Sequence, residues 1–199
     1  HVLISSKDYL IAQLTGECVG DVAACSTAGA MNIRNGQWDA ELCEAAGIDM
    51  TILPHLHNPQ DNIGTVTESA AQRTGFSAGT AVYAGIGDAG ATTLASGVSH
   101  PGQYNINIGT SGWIATVSPE PFTDKPGAAN LAFGVEEGFV NAVPFLNAGD
   151  VHKWVTGVFA DGDYAEAHQL IETSKPGSNG VLCLPYLVGE RFPVMNPNI

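Results

Sequence analysis

A short apolar run, a glycine-rich turn and a helix-forming segment follow one another directly near the middle of this chain. Residues 81–84 have the apolar pattern of a strand, Gly85, Gly87 and Gly90 punctuate the turn, and residues 89–96 favour a helix. A strand that passes through a tight turn into a helix is the building unit of α/β proteins. The sequence therefore predicts an α/β fold.

The three glycines also fit the G-x-G-x-x-G spacing of a dinucleotide-binding turn, but two features argue against that site. Asp88 lies inside the turn, where its charge would repel a pyrophosphate held at the helix N-terminus. No acidic residue lies between Asp88 and Glu120, so the ribose-binding carboxylate expected about 20 residues further on is missing. A Rossmann-type site is therefore excluded.

Asp88 is open to two interpretations. In phosphoryl transfer a carboxylate at this place could orient a substrate hydroxyl, accept its proton and help to hold a metal ion, because the loose transition state depends mainly on positioning. The structural alternative is an ordinary N-cap of the following helix, since aspartate is a favoured residue there. Taken alone, the residue favours the cap.

A second turn strengthens the catalytic interpretation. Residues 104–108 and 113–117 alternate like the strands of a hairpin, and Gly109-Thr110-Ser111-Gly112 joins them. Backbone N–H groups and hydroxyls in such a loop can bind an anion, although a plain hairpin turn has the same composition. Trp113 replaces the glycine that a nucleophile elbow needs, and no Walker sequence occurs.

The composition restricts the possible partners. Twenty acidic residues against seven Lys and Arg give a formal charge of −13, which disfavours nucleic acid and leaves phosphates to backbone amides and Mg²⁺. No apolar run approaches the roughly 18 residues of a membrane span. The four cysteines lack C-x-x-C spacing and are expected to be reduced thiols of a cytoplasmic protein. His55 and His57 are expected in a loop rather than at a metal.

Further elements follow from capping and periodicity. A boundary between two domains is placed at His100-Pro101-Gly102. The predicted elements are a helix from Ser5 or Ser6 to Leu14 that ends at Gly16, helices at 38–46, 69–74 (with Thr65 and Glu68 as its capping pair), 151–159 and 164–174, and strands at 139–145 and 181–184.

Four strings together resemble one family. In chain order they are SSKDYLIAQLTGE (5–17), IGTVTESAAQRTGFSAGTAVYAGIGDAGA (63–91), INIGTSG (106–112) and PYLVGER (185–191). They resemble the FGGY-family carbohydrate kinases, and xylulokinases among them. The resemblance implies two ribonuclease-H-like halves of the actin/hexokinase type. Residues 1–100 would be the C-terminal part of the FGGY N-terminal domain, and residues 101–199 the N-terminal part of its C-terminal domain.

The resemblance also implies the roles of single residues. Asp88 falls on the catalytic base, which also helps to organise Mg²⁺, and Gly87, Asp88 and Ala89 would lie beside the sugar. Gly109, Thr110 and Ser111 would meet the γ-phosphate of ATP. Ala89 departs from the Asn or Gln that family members usually place after the catalytic Asp. The string around Glu190 is given only a structural or interdomain role.

The function implied by the resemblance is the ATP-dependent phosphorylation of a sugar or polyol hydroxyl, with D-xylulose, converted to its 5-phosphate, as the first choice. Gluconate or another polyol is the alternative substrate, and a non-catalytic actin-like nucleotide-binding protein is the alternative class. The family's first phosphate loop and its adenine site have no counterpart in these residues, so the isolated chain is expected to be an inactive central fragment. Formation of a homodimer is a further expectation.

Overall fold

The computed structural model describes residues 1–199, which form seven α-helices and ten short strands. The helices are α1 (Ser6–Thr15), α2 (Val22–Cys25), α3 (Ala40–Ala46), α4 (Glu68–Thr74), α5 (Asp88–Ala95), α6 (Gly149–Phe159) and α7 (Tyr164–Thr173). The strands are β1 (Val19–Asp21), β2 (Met31–Asn32), β3 (Gln37–Trp38), β4 (His55–His57), β5 (Asn62–Thr65), β6 (Ala81–Tyr83), β7 (Tyr104–Ile108), β8 (Gly112–Ser118), β9 (Ala129–Ala132) and β10 (Phe139–Phe145). The predicted mixed α/β class is confirmed.

The chain divides into two compact units. Unit 1 comprises residues 1–105, 116–122 and 129–141, and unit 2 comprises residues 106–115, 123–128 and 142–199. The largest sheet has four strands in the order β7-β8-β10-β9, and the division falls within three of them. The assignment of residues 1–100 and 101–199 to two FGGY domains stays a prediction.

Three two-stranded sheets lie in unit 1. Strand β1 pairs with β4 in parallel, with Val19 opposite His55, whereas the pairs β2–β3 and β5–β6 are antiparallel. His55 and His57 therefore lie in a strand and not in the loop predicted for them. The apolar core around this region consists of Val22, Met31 and Ala132, with Cys25, Ile33, Trp38 and Leu56 packed against them.

The observed helix ends agree with the predicted caps of α1 but not with that of α4. Ser5 caps α1 by accepting a hydrogen bond from the Asp8 N–H, and Gly16 ends this helix at a φ of 90°, as predicted. The predicted capping pair of α4 is wrong, because Thr65 belongs to β5 and the cap is Thr67. Thr67 accepts a hydrogen bond from the Ala70 N–H at 3.2 Å.

In the second half of the chain, the strand at 139–145 and the two predicted helices are confirmed within about two residues. The strand predicted at 181–184 is wrong. Residues 181–184 form no strand, and Leu182 is 93% exposed, so the apolar run has no sheet to join. None of the helices combines the length and the apolar character needed to cross a membrane.

Candidate active site

The glycine turn before α5, residues 85–88, is called the acid turn below. Gly85 takes a positive φ of 67°, which residues with a side chain rarely adopt. Gly87 has ordinary backbone angles but packs closely on α2: a Cβ at this position would lie 3.0 Å from the Ala24 Cβ. The glycine spacing that imitates a dinucleotide fingerprint therefore serves to bring this turn against a neighbouring helix.

Asp88 is the first residue of α5, and its side chain is exposed. The N-cap of this helix is Gly87, so the interpretation of Asp88 as the N-cap is wrong. Asp88 Oδ1 accepts a hydrogen bond from the Ala89 N–H at 2.8 Å. The other carboxylate oxygen has no hydrogen bond within the chain, which leaves it available to a substrate or a cation.

A small pocket of about 110 Å³ in unit 1 opens beside this carboxylate. Three predicted substrate-binding residues line it together, and Asp88 is the only charged side chain on its wall. Apart from Asp88 and the Thr27 hydroxyl, the lining offers no polar side chain. The lining residues are Ala23, Ala24, Thr27, Gly87, Asp88, Ala89, Gly90 and Leu131.

Unit 1 contains three Lys and Arg side chains, and each is engaged with a partner inside the unit. The pairs are Lys7 with Asp8 and Asp21, Arg34 with Glu120, and Arg73 with Gln13. None of them lines the pocket beside Asp88. This pocket therefore offers a carboxylate to its ligand without any balancing positive side chain from unit 1.

The loop between β7 and β8, residues 109–111, is called the hydroxyl loop below and lies in unit 2. The Gly109 N–H donates to Ser111 O at 2.8 Å, which closes the turn. The N–H groups and hydroxyls of Thr110 and Ser111 make no hydrogen bond within the chain, and both residues are exposed. Four donors on two consecutive residues are thus free to bind an anion, whereas the Gly109 N–H is not.

The back of the hydroxyl loop is held by the N-terminus of α6. The Gly149 N–H donates to Gly109 O at 2.8 Å, and the N–H groups of Ala148 and Asp150 donate to Thr110 O at 3.3 Å each. These contacts use up amides that a helix start normally leaves unpaired. The loop carbonyls therefore face the helix, and the positive end of the helix dipole lies directly behind the loop.

Asn147 and Glu190 form a buried polar network in unit 2. Asn147 lies just before α6, and Glu190 follows the PYLVG segment. Glu190 accepts hydrogen bonds from the N–H groups of Leu146 (2.8 Å) and Arg191 (2.7 Å). Asn147 Nδ2 donates to Glu190 Oε2 at 3.1 Å, and Asn147 Oδ1 accepts from the Leu187 N–H at 2.8 Å. Glu190 thus makes contacts typical of a structural residue, and its expected role stays a prediction, whereas Asn147 carried no sequence signal of its own.

Asp88 fits the ligand requirements of Mg²⁺. This ion usually binds through one or two carboxylates together with phosphate oxygens and water. The free oxygen of the exposed Asp88 carboxylate could supply one such ligand. Its use as a magnesium ligand, like the roles of the other predicted site residues, stays a prediction.

Comparison with known proteins identifies the family. The family model described as the FGGY family of carbohydrate kinases, N-terminal domain, matches residues 1–95. The chain is 30% identical to a gluconokinase of Bacillus subtilis over 207 residues, covering 98% of the chain and 40% of that protein. It is also 30% identical to a xylulose kinase of the same organism over 200 residues, covering 100% of the chain and 40% of that protein. Together, these matches support an FGGY-family carbohydrate kinase fragment, with residues 1–95 in the family's N-terminal domain.

A solved structure extends the family assignment to the fold. The ligand-bound xylulose kinase from Lactobacillus acidophilus superimposes with a TM-score of 0.89 at 27% identity, covering 98% of this chain and 40% of that one. The fold is therefore the actin/hexokinase-like, ribonuclease-H-type fold of the FGGY sugar kinases, as predicted. The chain spans about 40% of the length of the relatives it matches.

Proposed function

We propose that the full-length protein containing this chain transfers the γ-phosphoryl group of ATP to a hydroxyl of a neutral sugar, with D-xylulose as the first candidate and its 5-phosphate as the product. The observation that carries the proposal is an exposed, half-unpaired carboxylate at Asp88 in a pocket of an FGGY-family chain. The hydroxyl loop, with four free donors, supplies the matching group for a phosphate.

In this reaction the substrate hydroxyl binds to Asp88. The oxygen of the substrate hydroxyl forms a bond to the γ-phosphorus, while the bond between that phosphorus and the bridging oxygen of ADP breaks. The hydroxyl proton passes to the Asp88 carboxylate, and ADP leaves with the bridging oxygen. An exposed carboxylate suffices, because a loose transition state needs orientation of the hydroxyl more than a strong base.

The donors of Thr110 and Ser111 would bind oxygens of the transferred group, where charge must be stabilised throughout the transfer. Mg²⁺, when bound, neutralises phosphate charge, and Asp88 is the residue of this chain that would hold it.

The charge of unit 1 supports the proposed choice of substrate. Relatives of equal identity are named for xylulose and for gluconate, so resemblance alone does not separate the two sugars. Gluconate is an anion and needs a positive partner, yet all three Lys and Arg side chains of unit 1 are engaged elsewhere. A neutral sugar has no such need, which supports D-xylulose over gluconate.

The test is a coupled assay of ADP production on the full-length protein with a panel of sugars, in the wild type and in Asp88→Asn. We expect D-xylulose to stimulate turnover, and Asp88→Asn to lower kcat at least about 100-fold, which is the usual scale for losing a positioned base. Glu68→Gln is the matched control, because Glu68 is also an exposed carboxylate at the first position of a helix in unit 1. Undiminished turnover in Asp88→Asn would refute the assigned base.

The same panel tests the alternatives. Stimulation by gluconate alone would overturn the charge argument, and ATP binding without stimulation by any sugar would favour an actin-like nucleotide-binding protein. A cytoplasmic location and a homodimer stay predictions.

A further inference from the structure

Lys7, on α1, contacts three different parts of unit 1 through its ammonium group. Lys7 Nζ lies 2.5 Å from Asp8 Oδ1 and 3.1 Å from Asp21 Oδ2. It also donates a hydrogen bond to Ala84 O at 2.7 Å. Ala84 is fully buried and is the residue directly before the acid turn. A single cation therefore joins α1 and the end of β1 to the start of the turn that presents Asp88.

Asp21 connects the same cation to the other side of the acid turn. Its Oδ1 accepts hydrogen bonds from the N–H groups of Ala23 (3.0 Å) and Ala24 (2.9 Å) and so caps α2. Ala24 is the residue on which Gly87 packs. Lys7 thus fixes the backbone at the start of the turn, and Asp21, its partner, fixes the helix against which the end of the turn rests.

Opposite charges stabilise this network. Asp8 and Asp21 have side chains only 1% and 0% exposed, so the ammonium is the group that compensates two buried carboxylates. Burial by itself would favour the neutral amine, but the hydrogen bond to Asp8 and the charge of Asp21 outweigh it and raise the pKa of Lys7 above 10.5. Lys7 therefore stays charged at physiological pH.

We propose that Lys7 is a positioning residue for the transfer reaction, which holds the acid turn, and through it the Asp88 carboxylate, at a fixed distance from the substrate hydroxyl. This inference rests on the proposed function for its effect on turnover. Lys7 itself contacts neither Asp88 nor the pocket beside it. Its effect on catalysis passes through the Ala84 carbonyl, and a small displacement of a reacting group is enough to slow a reaction strongly.

The experiment compares Lys7→Met with Arg73→Met in the full-length protein. Arg73 is a matched control, because it also joins two elements of unit 1 through a hydrogen bond to a backbone carbonyl, that of Gln13, but its hydrogen bonds reach no residue of the acid turn. We expect Lys7→Met to lower kcat by about tenfold or more, with the KM for ATP changed by less than about threefold. Arg73→Met should leave kcat unchanged at a temperature where both variants are folded.

Hydrogen exchange gives a readout that does not depend on activity. The N–H groups of Ala84 and Gly85 donate to Asp61 O (3.0 Å) and Pro59 O (2.9 Å). These two amides should exchange faster in Lys7→Met and not in Arg73→Met. Equal exchange and equal kcat in the two variants would overturn the proposal and leave Lys7 with a structural role only.

Lys7→Arg covers the case in which Lys7→Met does not fold. Arginine keeps the charge, but its planar donors cannot reproduce the three contacts of one ammonium. A folded Lys7→Arg variant should therefore show a smaller loss of kcat and a smaller increase in amide exchange than Lys7→Met. Wild-type values of both kcat and exchange in Lys7→Arg would overturn the proposal. If the wild type phosphorylates no sugar, the proposed function fails, whereas the exchange experiment still decides whether Lys7 holds the turn.

Discussion

The acid turn in unit 1 and the hydroxyl loop in unit 2 are both short glycine-containing bends, but they are held in different ways. Behind the acid turn lies a charged network, in which Lys7 joins two buried carboxylates to the Ala84 carbonyl. Behind the hydroxyl loop lie the uncharged amides of α6, which the Asn147–Glu190 network supports from the next residues back. A charged side chain thus contacts the backbone next to the group that would receive a proton, whereas backbone amides contact the loop that would bind a phosphate.

The two networks also respond to opposite ends of the pH scale. Burial opposes the ionisation of Glu190, but hydrogen bonds from Leu146, Asn147 and Arg191 outweigh it and hold the pKa of Glu190 below its ordinary 4.5. Its stabilising effect is therefore present above pH 4.5 and is lost as the pH falls through the lowered pKa. Lys7 has a raised pKa, so its contribution is complete below pH 10.5 and is lost only at more alkaline pH.

Among the substitutions that test this comparison, Glu190→Ala is expected to have the largest effect on stability. The substitution leaves the partly buried N–H groups of Leu146 and Arg191 without their acceptor, and it should destabilise the protein by about 3 kcal/mol. Urea denaturation measures the loss, with Glu166→Ala, an exposed acid on α7, as the control. The difference between wild type and Glu190→Gln should shrink as the pH falls below 4.5; a constant difference down to the acid limit would contradict the ionised role of Glu190.

A smaller effect is expected from an added methyl group behind the hydroxyl loop. A Cβ at Gly149 would lie 2.5 Å from Gly109 O, so Gly149→Ala must push the loop and the helix apart. We expect a loss of about 2 kcal/mol in stability from overpacking. The KM for ATP should rise by about tenfold as the loop donors move.

Gly157 offers the matched control on the same helix, because a Cβ there meets nothing within 4 Å. Gly157→Ala should stabilise the protein by about 0.5 kcal/mol through helix propensity, with the KM for ATP unchanged. Equal KM values for ATP in the two variants would show that α6 does not set the position of the hydroxyl loop. That result would contradict the statement that backbone amides at the start of α6 position the hydroxyl loop.

The smallest effect concerns the reactivity of a thiol beside the charged network. Burial, with the nearby charges of Asp21 and Asp8, raises the pKa of Cys25 to about 12. Iodoacetamide at pH 8 should therefore label Cys25 at least about tenfold more slowly than the exposed Cys18. Asp21→Asn should speed this labelling and Glu44→Gln should not; equal rates in both would show that burial alone protects the thiol.

The local features of the fold were predictable because their signals lie within a few residues of one another. Ser5 and Gly16 mark the ends of α1, and the strand, glycine turn and helix around Asp88 follow directly from the sequence. The cap of α4 was misplaced by two residues, because Thr65 and Thr67 offer the same side chain and only the backbone path distinguishes them.

The supports of the two bends could not be predicted, because they are contacts between distant parts of the chain. Lys7 meets Ala84 across 77 residues, and Glu190 meets Leu146 across 44. A pattern within the sequence carries no information about such a pairing, and the four matching strings give the family without the contacts. The prediction of a strand at 181–184 was wrong for a related reason, because strand formation depends on a neighbouring strand as much as on residue type.

The engagement of every lysine and arginine of unit 1 has a consequence for the end of a catalytic cycle. A sugar enters the pocket beside Asp88 uncharged and, in the proposed reaction, would leave it carrying a phosphate. The wall it leaves is negative and has no lysine or arginine to retain a dianion. The same scarcity of positive charge that suits the pocket to a neutral sugar would thus favour release of the product, because the Asp88 carboxylate would repel the phosphate of the phosphorylated sugar.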